Sequence, residues 1–367
     1  MPIESHWGES PPWSVGVEEE LMLVSADTLL LEPGSDAIVA AAAGLDLPGL
    51  VKTELFACVV ELTSGVCSEP GEAGERIGAL RRAAAHLAAD RELRLLATGT
   101  HPVSRPEDQE IADEPRYRAF VEYAGVSARR QGVNGLHVHI GVPSGEACFD
   151  ALEGVLQWLP VVLALSANSP YLAGEETGLV SNRAEVLAQL PRGGAPPAFR
   201  SHADWEAFAE RLVTLGLIPD YTTLWWDVRP HPRFGTLEVR VPDQPTALER
   251  SVAFAALVQA LVVTVLRSDP LAYDPPGRAL YTQNRWAALR AGLDAELVHP
   301  DGDRLAPARE LAAELLERVA PAAGELGTAS LLTPLAGRAT EADRQLATGR
   351  ARGLHAVTAE LVERTLD

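Results

Sequence analysis

Three short segments set charged or metal-seeking side chains two residues apart, and that spacing constrains the fold more than any other feature. They are Glu18-Glu19-Glu20 in VGVEEELMLV, His137-Val138-His139 in NGLHVHIGV and Glu238-Val239-Arg240 in GTLEVRVPD. Along a β-strand, residues i and i+2 share one side. Leu237, Val239 and Val241 therefore oppose Glu238 and Arg240, while Leu136, Val138, Ile140 and Val142 oppose His137 and His139. Val15, Val17, Leu21 and Leu23 likewise oppose Glu18 and Glu20, with Glu19 falling on the apolar side against the pattern. One greasy face and one chemically armed face predict a sheet packed on helices behind and open in front. One-sided alternation favours antiparallel pairing over a doubly wound parallel sheet, so the expected class is α+β.

The strands expected are Ser14–Val24, Leu55–Thr63, Arg94–Thr100, Leu136–Val142, Thr223–Val228 and Thr236–Val241. The last two, joined by a Pro- and Gly-containing turn, read as a hairpin. Helical spacing marks Glu72–Asp90, Asp204–Leu215, Leu248–Arg267 and the tail from Ala306. Ala147–Ala167 reads as one buried helix kinked at Pro160. The segment 191–201, PRGGAPPAFRS, reads as a surface loop, and no internal repeat is visible. The expected organisation is a single catalytic domain over residues 1–367, with a C-terminal helical region at about 301–367.

Composition removes several function classes. A formal charge of −20 argues against nucleic acid or an anionic membrane as partner. Lys52 is the single lysine, and Val51 stands where a P-loop needs glycine, which excludes a Walker-type nucleotide site. No GxGxxG follows a strand, so a Rossmann domain is not expected. Cys58, Cys67 and Cys148 lack metal-ligand spacing and imply no disulfide framework. The start of the chain carries no basic-then-apolar leader, and the apolar run Val252–Leu266 is too short for a bilayer span. A cytoplasmic protein is expected.

Each armed segment has a bland reading beside the chemical one. Acids on the first strand also suit a solvated edge. Glu61 ends an apolar strand, with Glu54 before it, and would need a partner such as an arginine, because an isolated buried carboxylate is costly. Two histidines on one strand face are either structural or ligands. Asp227, Arg229, Glu238 and Arg240 on the hairpin form either an ion-pair ladder or part of a site. Together, Glu18, Glu20, Glu61 and Glu238 on one face would repel by roughly 4 kcal/mol per close pair unless protons, arginines or divalent cations intervene. Oxygen ligands with an imidazole suit Mg²⁺ or Mn²⁺ better than zinc. Such ions beside arginines are what phosphoryl transfer from ATP requires.

At this point the chain resembles the type 2 glutamate–cysteine ligases, the YbdK-like carboxylate–amine ligases, and more distantly the glutamine synthetase-like ligases. The resemblance is carried by VGVEEELMLV, VKTELFACVVELTSGVC, LRLLATGTHP, NGLHVHIGVP, LALSANSPYLAGEETGLVSNRAEV, WWDVRPHPRFGTLEVRVPD and QNRWAALRAGLDA, across roughly residues 14–300. It implies a glutamine synthetase/glutamate–cysteine ligase-like catalytic fold with a curved, mainly antiparallel sheet flanked by helices. It also implies ATP and Mg²⁺ or Mn²⁺ as cofactors, small carboxylate and amine substrates, and a possible homodimer. By matching positions, it assigns Glu18, Glu20, Glu54, Glu61, His137 and Glu238 to metal. Arg240, with Glu61 and Glu238, is assigned to catalysis, and Arg229, Arg240 and Asn284 to the nucleotide, with Arg285 and Trp286 beside it. Asn134, His139, Asn182 and Arg183 are assigned to substrate, His139 as a pocket residue and Arg183 as a clamp on a carboxylate. An ion pair of Arg183 with Glu175, Glu176 or Glu185 is its structural alternative.

The function expected is an ATP-dependent ligase forming an amide through an acyl phosphate, with the glutamate γ-carboxyl as phosphoryl acceptor. Two rivals are a metal-dependent hydrolase using the histidines without ATP, and a catalytically silent nucleotide or amino-acid binding protein.

Overall fold

A computed structural model of the chain describes residues 3–302 and 304–366; the outermost residues of the expected 1–367 domain, and Asp303 in its helical tail, lie outside these. The main sheet comprises β1 (Val15–Ser25), β2 (Leu50–Thr53), β3 (Val59–Thr63), β4 (Leu93–Leu96) and β5 (Leu136–Gly141). After two short strands, β6 (Tyr171–Leu172) and β7 (Glu175–Glu176), which pair with each other, the main sheet resumes with β8 (Val228–His231) and β9 (Thr236–Val239). Its order is β2-β3-β1-β5-β9-β8, with β4 also on β1, and every pairing is antiparallel. The chain thus has the expected α+β architecture.

The apolar faces pack where alternation puts them. Val15, Val17, Leu21, Leu23, Val138, Ile140, Leu237 and Val239 share one core with the helices Pro70–Ala89, Gly145–Leu156 and Leu248–Leu266. Leu248–Leu266 is apolar enough and, at 19 residues, long enough to cross a membrane, but about two-thirds of it is buried inside the fold. The opposite face is divided. Met22 and Val24 continue the Glu18 and Glu20 side of β1 into a second apolar cluster with Phe56, Val59 and Leu96, which the C-terminal Val357 and Leu361 cover.

Glu19 belongs to the core side and is wholly buried. Arg81, on the helix Pro70–Ala89, meets its carboxylate with two hydrogen bonds of 2.7 and 2.8 Å. The same guanidinium donates to the carbonyls of Thr246 and Thr365, each at 2.7 Å. The break in the alternation therefore marks a partnered ion pair, the condition under which a core tolerates charge.

Several expected boundaries move. The expected strand Leu55–Thr63 shortens to β3, Val59–Thr63, and β2, Leu50–Thr53, precedes it outside those bounds, with residues 54–58 linking the two. Arg94–Thr100 shortens to Leu93–Leu96. The kinked helix is two, Gly145–Leu156 and Leu159–Ser166, bent by 62°, with Pro160 in the first turn of the second, where its missing N–H costs nothing. The hairpin's first arm is Val228–His231 rather than Thr223–Val228. Pro230 can lie inside it because β8 is an edge strand, and the turn closes at Gly235 with φ 64°. The helices Pro115–Ala124, Asn182–Ala188 and Pro275–Ala291 had no counterpart in the periodicity reading.

Candidate active site

The strand registers bring the armed residues into one array. Glu20 lies opposite Glu61, and Glu61 opposite Lys52. Glu18 faces His137, His139 faces Glu238, and Glu238 faces Arg229. Directly opposed residues in an antiparallel pair project to the same side, so the array runs from Lys52 to Arg229. Beside it lies a cleft of about 1040 Å³ whose lining includes Glu18, Glu20, Glu54, Glu61, His137, Arg229 and Arg240, with His139 and Glu238 buried in the sheet next to them.

At one end Glu238 is buried between two guanidiniums. Arg229 holds it at 2.6 and 3.2 Å, and Arg240 bonds it from two residues along. Burial would raise its carboxyl, but Arg229 and then Arg240 hold it well below the usual range. Glu18, His139 and Glu238 each offer a ligand atom, all within 4.8 Å of one another. The His139 Nδ1 is within hydrogen-bond distance of Thr236 Oγ1 at 3.0 Å, which leaves Nε2 to face Glu18 at 3.8 Å.

The other end is short of positive charge. Burial, followed by the neighbouring carboxylates, pushes Glu54 up to about 8. Burial likewise raises Glu20 to about 7, although Arg183 and the Gly135 N–H, 2.6 Å away, oppose it. Glu61 bonds Lys52 at 2.8 Å. His137 sits between the two ends, with Nδ1 3.3 Å from Glu18 and 3.4 Å from an Arg240 nitrogen, and Nε2 3.9 Å from Glu20. Burial and then Arg240 lower it to about 4, so it is neutral and able to bind a cation. The Nε2 atoms of His137 and His139 are both buried without a hydrogen-bond partner among the described residues. Carboxylates with orphaned imidazole nitrogens form a donor set that fits Mg²⁺ or Mn²⁺.

Other assigned residues stand elsewhere. His139, expected only to line the pocket, is grouped with Glu18 and Glu238 as a ligand donor, because the β5–β9 register seats it opposite Glu238. Arg183 is buried and donates to the carbonyls of Val241 and Arg240 at 3.1 and 3.0 Å, its guanidinium lying over Gly135. Neither the substrate clamp nor the loop ion pair describes that geometry; Glu176 pairs with Arg350 instead. Asn134 and Asn182 are buried, with amide nitrogens lacking partners among the described residues. Asn284 does not line the cleft: its amide is spent on both backbone groups of Val298, at 2.7 Å each. Arg285 pairs with Asp227, which removes Asp227 from the hairpin group. Trp286 is exposed.

Several cleft residues escaped the sequence reading. Arg116 and Tyr117 come from the helix opened by Pro115, a start signal that EPRYR carried. Arg192 lies 5.6 Å from the Tyr123 ring and 5.5 Å from the Trp225 ring, forming an upper wall that only tertiary packing assembles.

A family model described as glutamate–cysteine ligase family 2 matches residues 14–360. A protein of Rubrobacter xylanophilus named "Putative glutamate--cysteine ligase 2-3" is 41% identical over 99% of this chain and 100% of its own. A Sorangium cellulosum protein named "Putative glutamate--cysteine ligase 2" is 37% identical over 96% of each chain. Among solved structures, the glutamate–cysteine ligase of Francisella tularensis in complex with AMP superposes with a TM-score of 0.73 at 14% identity, over 100% of this chain and 89% of that one. A bifunctional glutathione synthetase from Pasteurella multocida gives 0.66 at 15% identity, over 97% of this chain and 51% of that one. The chain belongs to glutamate–cysteine ligase family 2, and it is an ATP-dependent ligase that forms an amide bond.

Proposed function

We propose that the cleft binds ATP with Mg²⁺ or Mn²⁺ and activates the γ-carboxyl of glutamate for condensation with an amine such as that of cysteine. The observation that supports this reading is the juxtaposition of Glu18, His139 and Glu238, whose ligand atoms lie within 4.8 Å of one another, with the largely buried guanidinium of Arg240. The cleft's volume, at the upper end for ligand pockets, leaves room for nucleotide and amino acid together. Nucleotide binding also accords with the AMP held by the Francisella tularensis relative in fold.

In the reaction, a carboxylate oxygen attacks the γ-phosphorus and the bond to the β-phosphate oxygen breaks, releasing ADP and leaving an acyl phosphate. The amine nitrogen then attacks the acyl carbon, phosphate departs, and the nitrogen loses a proton. Glu18, His139 and Glu238 would hold one divalent ion, with Glu20, Glu54, Glu61 and the neutral His137 as further donors. Such ions supply charge neutralisation along the triphosphate. Arg240 places a permanent positive charge beside the transferred phosphoryl group, and Arg229 keeps Glu238 ionised and oriented. No protein nucleophile is required, and the three cysteines are all buried. A cytoplasmic location would supply the nucleotide.

The test is ADP release from ATP and Mg²⁺ that depends on both a carboxylate and an amine, with hydroxylamine trapping an acyl hydroxamate from glutamate. Nucleotide turnover indifferent to every carboxylate offered would end the reading.

A further inference from the structure

Lys52 is the chain's one lysine among 31 basic side chains, and it stands on β2 directly across from Glu61. Its ammonium lies 2.8 Å from Glu61 Oε1, the oxygen that also accepts from Thr63 Oγ1 at 3.2 Å. Its side chain is 40% exposed, against 13% for Glu61. The arginines of the site are held differently. Arg229 is locked on Glu238 and on the carbonyls of Thr222 and Leu224, and Arg183 is locked on two backbone carbonyls. Arg240 is largely buried against Glu238, and the exposed Arg116 donates to the Tyr117 hydroxyl and the Thr53 carbonyl. Among these described cations, Lys52 combines a part-exposed, flexible stem with a contact to one carboxylate. Glu18 and Arg116, both lining the cleft, are within its electrostatic reach.

Glu61 belongs to the end of the array where Glu20 and Glu54 are crowded, so it needs a counter-charge whether or not a metal is present. A divalent ion offers twice the charge at closer range and would take Glu61 from the ammonium. A freed lysine on a four-carbon stem is a compact point charge with three rotatable donors, well suited to a phosphate. We infer that Lys52 is an exchangeable cation: it neutralises Glu61 in the free enzyme, and when metal and nucleotide arrive it leaves Glu61 and contacts the terminal phosphate. This rests on the ligase reading above, and it adds a phosphate-binding residue that swaps partners during the cycle.

The single lysine makes the exchange directly observable. Protein labelled with ¹³C at the lysine ε-carbon has one side-chain signal. That signal is expected to shift when Mg²⁺ is added, and to shift again with Mg²⁺ and the β,γ-imido analogue of ATP. The Lys52→Met variant should bind Mn²⁺ alone at least as tightly as the parent, by paramagnetic resonance. In calorimetry it should bind the Mg²⁺–analogue complex at least tenfold more weakly. A lysine with a merely structural role would weaken both or neither, which overturns the inference. So would an unmoved ε-carbon signal in protein that calorimetry shows to be nucleotide-bound. Parent protein that binds Mg²⁺ but no nucleotide overturns the ligase reading itself, and the phosphate contact with it.

Discussion

Arg81 and Glu19 form a two-pronged ion pair, at 2.7 and 2.8 Å, inside the core beneath the active face. Because Arg81 also ties the backbone at Thr246 and Thr365, the pair joins the first strand, a packed helix, the segment after β9 and the last helical turn. Removing one partner strands the other charge in the core. Arg81→Met should therefore lower stability by about 3–5 kcal/mol in urea unfolding. Adding Glu19→Leu should recover a large part of that loss. Equal stability of Arg81→Met and parent would contradict the account.

The ligand trio predicts an order between His139 and its neighbour Thr236. His139→Gln should weaken Mn²⁺ binding by more than the roughly 10–100-fold typical of losing a residue that only orients a ligand, since it removes a donor grouped with Glu18 and Glu238. Thr236→Val should weaken it less, through the lost bond to His139 Nδ1. Paramagnetic resonance of bound Mn²⁺ checks both. Unchanged binding in His139→Gln would remove it from the ligand set.

Arg183 separates a positioning role from a substrate clamp. It fixes the carbonyls of Arg240 and Val241 and packs over Gly135, whose N–H holds Glu20. Arg183→Lys should lower kcat, up to about a hundredfold for a displacement near 1 Å, with KM for the carboxylate little changed. Gly135→Ala should act similarly, because its Cβ would fall 1.9 Å from an Arg183 nitrogen. A KM rise with kcat preserved would restore the clamp.

Acid sensitivity should come partly from His101. Its Nδ1 accepts from the Val103 and Ser104 amides at 3.1 and 2.9 Å, so Nε2 carries the proton toward the Leu29 carbonyl at 3.0 Å. Burial holds the imidazole down to about 4, against 6.5 when exposed. Above pH 6.5 it is neutral in both folded and unfolded chains. Between 6.5 and 4 only the unfolded chain takes up the proton, so stability is lost as pH falls, by roughly 3 kcal/mol in full. His101→Asn should be less stable than the parent at pH 7, with the gap narrowing toward pH 4.5 in urea titrations. Parallel curves would contradict this.

Much of the array was legible because a two-residue period survives any tertiary context. The faces of β1, β5 and β9 followed from alternation alone, and the register then brought Glu18, His137, His139 and Glu238 together. What stayed hidden depends on distant partners. Glu19 looked anomalous because Arg81 lies 62 residues away, and the direction of Arg183 is set by carbonyls near residue 240. The edge position of β8, which admits Pro230, is likewise a property of the whole sheet. Asn284 matched a motif whose side chain is spent on the local backbone.

The most direct measurement follows oxygen. With glutamate carrying ¹⁸O in its γ-carboxyl, direct attack on ATP predicts one ¹⁸O atom delivered to inorganic phosphate per amide formed. Amide formed with phosphate free of the label would contradict the acyl phosphate on which the account depends.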